Sequence, residues 1–368
     1  MAENLQPETE CFYGALLAGC LAWRSAQGHL KCIQRLTHKA ASCRAILKLM
    51  RSTPLPDIRP APAGVPAFAA VKLTQLQPFG VAIEGLDICN ASQAELDDIK
   101  NLLAWHGVAV LRGVNGVNSV NGANEPSGIN KPIFNDADFV DFLQRLGQLT
   151  FTAGETPVAQ HHMLNLVSNV GRLTPPKSVF HTDTSYVRQP PAYTALRPVV
   201  LPAAGGETVF SSQFMAYDTL PENIKKRLAD TQVLHRVSGL PPAAPAPAMA
   251  AAAAPACSAV QALQEMKIFA ETQCWHPLFK VHPLSGRTAL FLSTPQRCVE
   301  LSGMAADQSR RVVELLYRHS TRQHRLYHHR WQADDLLIWD NRCTMHRGDH
   351  SAVVGDRVFH RGMVLADD

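Results

Sequence analysis

The sequence has no long uninterrupted apolar run and carries little net charge. No stretch reaches the roughly 18 consecutive apolar residues that a membrane-spanning helix requires. The formal net charge of +4 over 368 residues is too small to indicate nucleic acid as a partner. With 46% hydrophobic residues the chain can bury a sizeable core. These features predict a soluble, cytoplasmic protein, and they argue against membrane or nucleic-acid binding.

Paired cysteines are also missing. The nine cysteines are scattered and none forms a CxxC pair, so neither a zinc ribbon nor a disulfide framework is indicated. A reducing compartment is therefore expected. Cys343, three residues before a candidate metal ligand, is expected to be a small buried apolar residue and not a ligand.

The sequence does contain a His-x-Asp triplet, His181-Thr182-Asp183. Side chains two apart on an extended strand point to the same side, so both could reach one metal ion. A third candidate, His346, follows the apolar, strand-like run 336–339. Two imidazoles and one carboxylate are typical of the facial triad of non-haem Fe(II) oxygenases, which leaves positions open for cosubstrate and oxygen. A chance triplet among 16 histidines is the plain alternative.

Four sequence blocks carry a resemblance to a known family. In chain order they are HTDTSY, GGETVF, WDNRCTMH and RVFHRG, and the last contains Arg357 and Arg361, 11 and 15 residues after His346. In order and spacing they resemble the Fe(II)/2-oxoglutarate dioxygenases typified by taurine dioxygenase and 2,4-dichlorophenoxyacetate dioxygenase. The resemblance covers roughly residues 68–364.

The resemblance implies a fold and a chemistry. The fold would be α+β, a double-stranded β-helix or jelly roll with helices packed on the outside. The cofactor would be Fe(II), held by His181, Asp183 and His346 as the metal-binding and catalytic residues, with 2-oxoglutarate as cosubstrate. Arg357, helped by the Thr208 hydroxyl, would bind the C5 carboxylate of 2-oxoglutarate. The enzyme would use O2 to hydroxylate a small molecule and release succinate and CO2. Without the resemblance, Thr208 is an ordinary strand threonine.

Arg361 points to the kind of substrate. It lies four residues after Arg357 on the same predicted strand, so both side chains should face the interior. A second buried guanidinium without a partner is costly unless an anion arrives. We therefore expect a small organic anion, a sulfonate or an aryloxyalkanoate or other carboxylate, to bind Arg361. The alternative is an internal ion pair with an acid such as Asp340. Lys177 stands where the family has a neutral substrate contact, so a taurine-like ligand is not assured.

Two rival functions stay open at this point. One is a hydrolase that uses zinc in the same triad, against which Arg357 speaks. The other is a catalytically silent family member that acts as a binding module, against which the intact triad speaks. The sequence leaves the oligomeric state open, a homo-oligomer included.

Residues 1–65 differ from the rest of the chain. The segment opens with acidic residues, and from Cys11 to Pro56 there is no acidic residue at all. Apolar positions between Ile33 and Met50 recur at steps of three and four, which predicts an amphipathic helix with a basic face. A dispensable extension, an organelle-targeting peptide and a helix docked on the core are the three interpretations. Residues 54–66 are predicted to form a linker, and residues 66–368 are predicted to form the dioxygenase domain.

Within that domain the pattern predicts insertions at 113–132, rich in Gly, Asn and Ser, and at 241–260, rich in Pro and Ala. It also predicts helices after Ser92, over 136–146, over 215–229 and over 308–319. The Gly205-Gly206 pair predicts a tight reversal between two strands. Four histidines between residues 319 and 329 are interpreted as surface or capping residues, because no general-base Glu accompanies them.

Overall fold

The structure is a computed structural model, and it describes residues 71–114, 134–152, 154–172, 178–237 and 271–366. Residues 1–65, almost all of the insertion at 113–132 and the whole insertion at 241–260 lie outside the described residues, as does Lys177. No helix in the described ranges is long and apolar enough to cross a membrane.

Most of the strands belong to one nine-stranded sheet. Its members are β1 (Lys72–Gln75), β2 (Val81–Glu84), β3 (Val108–Arg112), β4 (Leu149–Thr150), β5 (Pro157–Val158), β6 (His161–Ser168), β7 (Tyr193–Val200), β15 (Leu336–Asp340) and β17 (Val358–Val364). The spatial order is β1-β2-β3-β15-β7-β17-β6-β5, with β4 paired to β17. Every pair is antiparallel except β2 with β3.

Three smaller sheets complete the strands. They are built from β8 (Thr208–Ser212), β9 (Gln232–Arg236), β10 (Gln273–Pro277), β11 (Phe279–Val281), β12 (Thr288–Leu290), β13 (Cys298–Leu301), β14 (Leu326–His329) and β16 (Thr344–Gly348). Their orders are β14-β8-β16, β10-β9-β13 and β11-β12, and all pairs are antiparallel. Largely antiparallel sheets with helices beside them fit a jelly-roll-type α+β fold.

Five α-helices and one short 3-10 helix lie beside the sheets in the described ranges. They are α1 (Gln93–His106), α2 (Asp136–Leu146), α3 (Gln213–Asp218), α4 (Glu222–Leu228), α5 (Ala306–Ser320) and the 3-10 helix Gln323–Arg325. Helix α3 packs on β12, and α5 packs on β13. The helices that were predicted after Ser92, over 136–146 and over 308–319 are therefore present as α1, α2 and α5.

Side-chain caps fix where the first two helices begin. At α1, the Ser92 hydroxyl accepts from the Glu95 N–H while the Glu95 carboxylate accepts from the Ser92 N–H. Asn135 and Asp138 form the same reciprocal arrangement at α2. These capping boxes satisfy N–H groups that the first helical turn leaves free. The apolar faces behind them pack on the large sheet in one buried cluster that includes Leu96, Ile99, Leu103, Phe139, Phe142, Leu143 and Leu146.

The single helix predicted over 215–229 is wrong. The chain forms two short helices, α3 and α4, separated at Leu220-Pro221. Proline has no N–H to donate and disfavours helical backbone in the residue before it, so α3 ends and Pro221 serves as the N-cap of α4. The apolar spacing continues through the break, which is why periodicity alone missed it.

The interpretation of the histidines after residue 318 is wrong for two of the four. His319 and His329 are buried, whereas His324 is exposed and His328 is half-buried. His319 contacts the main-chain oxygen of Ala216 and the Arg325 guanidinium, and His329 lies 3.1 Å from Asp335. Partners that the fold brings together decide the burial of these imidazoles, and the spacing of the histidines does not report them.

Candidate metal centre

The site forms where the chain crosses between two sheets. Strand β15 lies in the large sheet, and after the turn at 341–343 the chain enters β16 of the β14-β8-β16 sheet. His346 lies in β16, opposite Phe210 of β8. The main chains of His181 and His346 also exchange two hydrogen bonds, with N···O distances of 3.0 and 2.9 Å. This bridge brings the two histidines side by side.

The His181–Asp183 segment is not the regular strand that the sequence predicted. His181 forms only an isolated bridge, and Asp183 belongs to the turn that follows. Thr184 has a left-handed backbone with φ of 43°. The Asp183 carboxylate nevertheless reaches the imidazoles, so the expected meeting of the side chains occurs by a turn and not by strand alternation.

The structure gathers the three predicted ligands into one group. The Asp183 Oδ1 atom lies 3.6 Å from His181 Nε2 and 3.8 Å from His346 Nε2. All three ligand atoms lie within 4.8 Å of one another. His181 Nδ1 lies 3.0 Å from the Val179 carbonyl oxygen, to which it can donate, and this leaves Nε2 free to bind a metal. The donor set of two nitrogens and one oxygen fits Fe(II).

Charges around Asp183 keep it ionised. Burial alone would raise the pKa of this carboxyl, but the attraction of His346 when it is protonated at low pH, the hydrogen bond from His181 and the Arg361 guanidinium together outweigh burial and hold the pKa well below its usual range. Burial lowers the pKa of His346 to about 3, so its imidazole is neutral. A carboxylate and a neutral imidazole are the protonation states that metal binding needs.

A chain of hydrogen bonds holds the second oxygen of Asp183. The Thr194 hydroxyl donates to Asp183 Oδ2 at 2.8 Å and accepts from Asn341 Nδ2 at 2.8 Å. The Asn341 Oδ1 atom accepts from the Trp339 indole N–H at 3.2 Å. Because Oδ2 is engaged, Oδ1 is the oxygen presented to the imidazoles.

Arg357 and Thr208 lie around a shared aromatic pair. Arg357 is buried, donates from Nε to the Gly206 carbonyl and lies over the Phe359 ring at 4.1 Å. The Trp331 ring packs edge-on against Phe359, and its N–H donates to the Thr208 hydroxyl at 3.1 Å. Burial lowers the pKa of Arg357 to about 10. In the described part of the chain no carboxylate pairs with this guanidinium.

Arg361 does have partners, which corrects the premise of an unpaired charge. Its Nη2 atom lies 3.3 Å from Glu155 Oε1, and its Nη1 atom lies 3.6 Å from Asp183 Oδ1. The suggested pairing with Asp340 is wrong, because Asp340 binds Arg342 and His282. Arg361 therefore lies beside the candidate metal ligands, as predicted, and is compensated by two carboxylates.

A pocket of about 100 Å³, open to solvent, lies over the triad on the side of His181 and Asp183. Its described lining consists of Thr152, Glu155, His181, Asp183, Thr184, Tyr186, Arg297 and Arg361. Sequence reasoning missed Glu155, Arg297 and Thr194. Thr184, Tyr186 and Asn341 stand within the blocks that carry the family resemblance, so these three had a local signal.

A second cluster, His282, Asp340 and Cys343, also has ligand atoms within 4.8 Å of one another. Asp340 already accepts from Arg342 at 2.6 Å and lies 2.9 Å from His282 Nε2. His282 Nδ1 accepts main-chain N–H groups, so Nε2 carries the proton. Cys343 is buried as predicted, and burial raises the pKa of its thiol well above the usual value. This cluster is an ion-pair network that supports the β15–β16 turn.

Comparison with known proteins identifies the family. Residues 72–363 match the family described as "Taurine catabolism dioxygenase TauD, TfdA family". The chain is 26% identical over 298 residues to the alpha-ketoglutarate-dependent 2,4-dichlorophenoxyacetate dioxygenase of Cupriavidus pinatubonensis, covering 78% of this chain and 95% of the relative. It is 32% identical over 174 residues to the alpha-ketoglutarate-dependent sulfate ester dioxygenase of Pseudomonas putida. This match covers 45% of this chain and 52% of the relative.

Among solved structures, a taurine dioxygenase from Burkholderia xenovorans superposes with a TM-score of 0.61 at 22% identity, covering 81% of this chain and 91% of that one. This likeness concerns the fold. The chain belongs to the TauD/TfdA family and is an enzyme of the dioxygenase class. The predicted cofactors, Fe(II) and 2-oxoglutarate, are confirmed at the level of this family, to which the His-Asp-His group conforms.

Proposed function

We propose that this enzyme hydroxylates a small organic anion in a reaction that uses Fe(II), 2-oxoglutarate and O2 and releases succinate and CO2. The observation that carries the proposal is the pairing of the His181–Asp183–His346 group with a buried guanidinium, Arg357, that has no carboxylate partner among the described residues. A metal hydrolase with the same triad has no use for such a cation. A binding module without activity would not need a triad in the protonation states that metal binding requires.

His181 Nε2, Asp183 Oδ1 and His346 Nε2 would hold the metal. When bound, Fe(II) supplies open coordination positions at which 2-oxoglutarate and O2 meet. The chain positions the ligands: the Val179 carbonyl orients the His181 ring, and Thr194 holds the outer oxygen of Asp183. The Trp339 ring packs against His346, with ring centroids 4.5 Å apart.

Arg357 and Thr208 would bind the C5 carboxylate of 2-oxoglutarate. A guanidinium can donate two parallel hydrogen bonds to a carboxylate, and the Thr208 hydroxyl can donate a third while it accepts from Trp331. Thr208 lies opposite Gly348 in the β8–β16 pair, two residues from His346. This register supports a cosubstrate that extends from Arg357 towards the triad.

Arg361 would meet the anionic end of the substrate. Its side chain lines the pocket over the triad and is only 13% exposed. The relatives named above act, by their names, on 2,4-dichlorophenoxyacetate and on sulfate esters, which supports an organic anion here.

The test is an anaerobic titration of the enzyme with Fe(II) and 2-oxoglutarate. We expect a weak visible charge-transfer band, and its absence would contradict the proposal. Arg357→Lys should weaken 2-oxoglutarate binding about tenfold or more, because lysine keeps the charge but loses the paired donors. His346→Ala should abolish succinate formation; wild-type succinate formation in that variant would overturn the ligand assignment.

We further propose that the sheets form a double-stranded β-helix, with residues 66–368 as the catalytic unit and residues 1–65 as a dispensable extension. The family match over residues 72–363 supports these bounds. The same titration on a chain beginning at Met50 tests the extension, and loss of Fe(II) binding in that chain would show that the extension is needed.

A further inference from the structure

The pocket over the triad contains two guanidiniums, and they are compensated differently. Arg361 pairs with Glu155 and Asp183. Arg297 donates from Nη1 to the Thr182 carbonyl at 3.1 Å and lies over the Tyr186 ring at 5.3 Å. Within the described ranges no carboxylate pairs with Arg297. The pocket therefore holds one compensated cation and one uncompensated cation.

Arg297 is held in place next to the metal-binding residues. Thr182, whose carbonyl accepts from Arg297, lies between His181 and Asp183 in the chain, and its own hydroxyl donates to the Leu292 carbonyl at 2.8 Å. The Nε atom of Arg297 is buried and has no hydrogen-bond partner among the described residues. A buried donor without a partner costs free energy, and an arriving acceptor recovers it.

Arg361 has a free donor of the same kind. Its Nε atom is also buried without a partner in the described part of the chain. Nε and Nη2 form one edge of the guanidinium, and Glu155 contacts that edge only at Nη2. Glu155 is 41% exposed, so moving its carboxylate into water is inexpensive. An anion with two oxygens could bind both donors of the edge in its place.

We propose that Arg297 is a second anion-recognising residue of the substrate pocket, and that Glu155 occupies the Nε–Nη2 edge of Arg361 until the anionic substrate displaces it. This proposal rests on the proposed dioxygenase function and adds to it a specificity-determining residue and a competing carboxylate. Two guanidiniums suit a compact anionic group with several acceptor oxygens. The described lining offers no aliphatic side chain against which a large apolar ring would pack.

The experiment measures binding of ethanesulfonate and of its uncharged analogue ethanesulfonamide to the enzyme loaded with Fe(II) and 2-oxoglutarate under anaerobic conditions, by calorimetry. Wild type should bind the sulfonate more tightly than the sulfonamide. Arg297→Gln should raise the sulfonate Kd about tenfold to a hundredfold, since a charge-assisted hydrogen bond is lost. Glu155→Gln should lower the sulfonate Kd several-fold, because the competing carboxylate is removed. Arg310→Gln, at an exposed position on α5, is the matched control and should change nothing.

The 2-oxoglutarate Kd is measured on the same samples. If wild type fails to bind 2-oxoglutarate, the proposed function itself fails. If 2-oxoglutarate binds but ethanesulfonate does not, or binds Arg297→Gln as tightly as wild type, the role of Arg297 is overturned. An unchanged or higher sulfonate Kd in Glu155→Gln overturns the displacement of Glu155. If Arg297→Gln does not fold, Arg297→Lys is measured in its place. Lysine keeps the charge but lacks the paired donors of a guanidinium, so the sulfonate Kd should still rise. A sulfonate Kd equal to that of wild type would overturn the role of Arg297.

Discussion

The orientation of the Asp183 carboxylate depends on one hydroxyl group. Thr194 is fully buried, and its hydroxyl joins Asp183 Oδ2 to the Asn341 amide. Without this donor, the carboxylate could rotate, and the Asn341 N–H would lose its acceptor. Groups behind metal ligands commonly change metal affinity by about tenfold to a hundredfold. We therefore predict that Thr194 is a positioning residue for the metal.

We expect Thr194→Val, which keeps the shape of the side chain, to raise the Kd for Co(II), a spectroscopic substitute for Fe(II), by about tenfold. The measurement is a Co(II) titration followed by absorbance. Thr150→Val is the matched control, because the Thr150 hydroxyl is buried and has no hydrogen-bond partner among the described residues. Equal Co(II) affinity in Thr194→Val and wild type would contradict the positioning role.

Residue-scale prediction from the sequence succeeded where chemistry restricts the residue type. Two histidines and an aspartate are a restricted donor set, and the structure gathers the three residues that were predicted. Thr194, Glu155 and Arg297 carry no such signal, because a threonine, a glutamate or an arginine is common anywhere on a chain. Only the fold places them at the site.

At the scale of elements, the connection between β7 and β8, which lie in different sheets, runs beside the proposed cosubstrate-binding residues. Gly205 and Gly206 have φ of 70° and 78°, which agrees with the predicted need for glycine. The Gly206 carbonyl accepts from Arg357, and Thr208 begins β8 two residues later. A Cβ atom on Gly205 would lie 2.3 Å from the main-chain oxygen of Ala352. This connection can thus accept no side chain at Gly205 without moving the neighbouring backbone.

We expect Gly205→Ala to lower the free energy of unfolding by about 2–4 kcal/mol, from left-handed backbone strain plus the clash. Gly286→Ala is the matched control, since Gly286 has a φ of 66° but no atom within 4 Å of the added Cβ, and it should cost only about 1 kcal/mol. Urea denaturation of both variants measures the difference. Equal losses would show that backbone strain alone matters at Gly205.

Elements with explicit start and stop signals were predictable, and elements governed by tertiary contacts were not. The capping box at Ser92 predicted α1, an apolar face ending at Gly147 predicted α2, and Gly107 and Gly147 follow the last residues of these helices as expected. The turn at Asp183 and the break at Pro221 were missed, because apolar or alternating spacing persists through both. A proline in the middle of an apparently helical pattern should have carried more weight.

At the scale of the whole molecule, the strand order could not be derived from local patterns. Strand β15 lies between β3 and β7, and β17 lies between β7 and β6, so neighbours in space are distant in sequence. Such pairings depend on which faces bury together, which a single sequence does not report. The family resemblance supplied the jelly-roll-type class of fold, which periodicity could not.

Burial of neutral histidines gives the whole molecule a dependence on pH. Burial first, and then the nearby Lys280, lowers the pKa of His276 to about 4; burial and then Arg325 lowers the pKa of His319 to about 3. In the unfolded chain both histidines should have a pKa of about 6.5. Below about pH 6.5 the unfolded chain therefore binds protons that the folded chain does not. Stability is fully present above that pH and falls as the pH is lowered towards 4.

We expect the free energy of unfolding of the metal-free enzyme to fall by about 1.4 kcal/mol for each such histidine between pH 7.5 and about 5.5. His319→Gln cannot titrate, so its loss of stability over this interval should be smaller than that of wild type by about that amount. His162→Gln, at an exposed position on β6, should lose as much as wild type. Urea denaturation at pH 7.5 and about pH 5.5 gives the change in the free energy of unfolding for each variant. The destabilisation caused by the substitution itself is the same at both pH values and cancels in this change. A loss in His319→Gln as large as in wild type would mean that His319 is protonated in the folded enzyme.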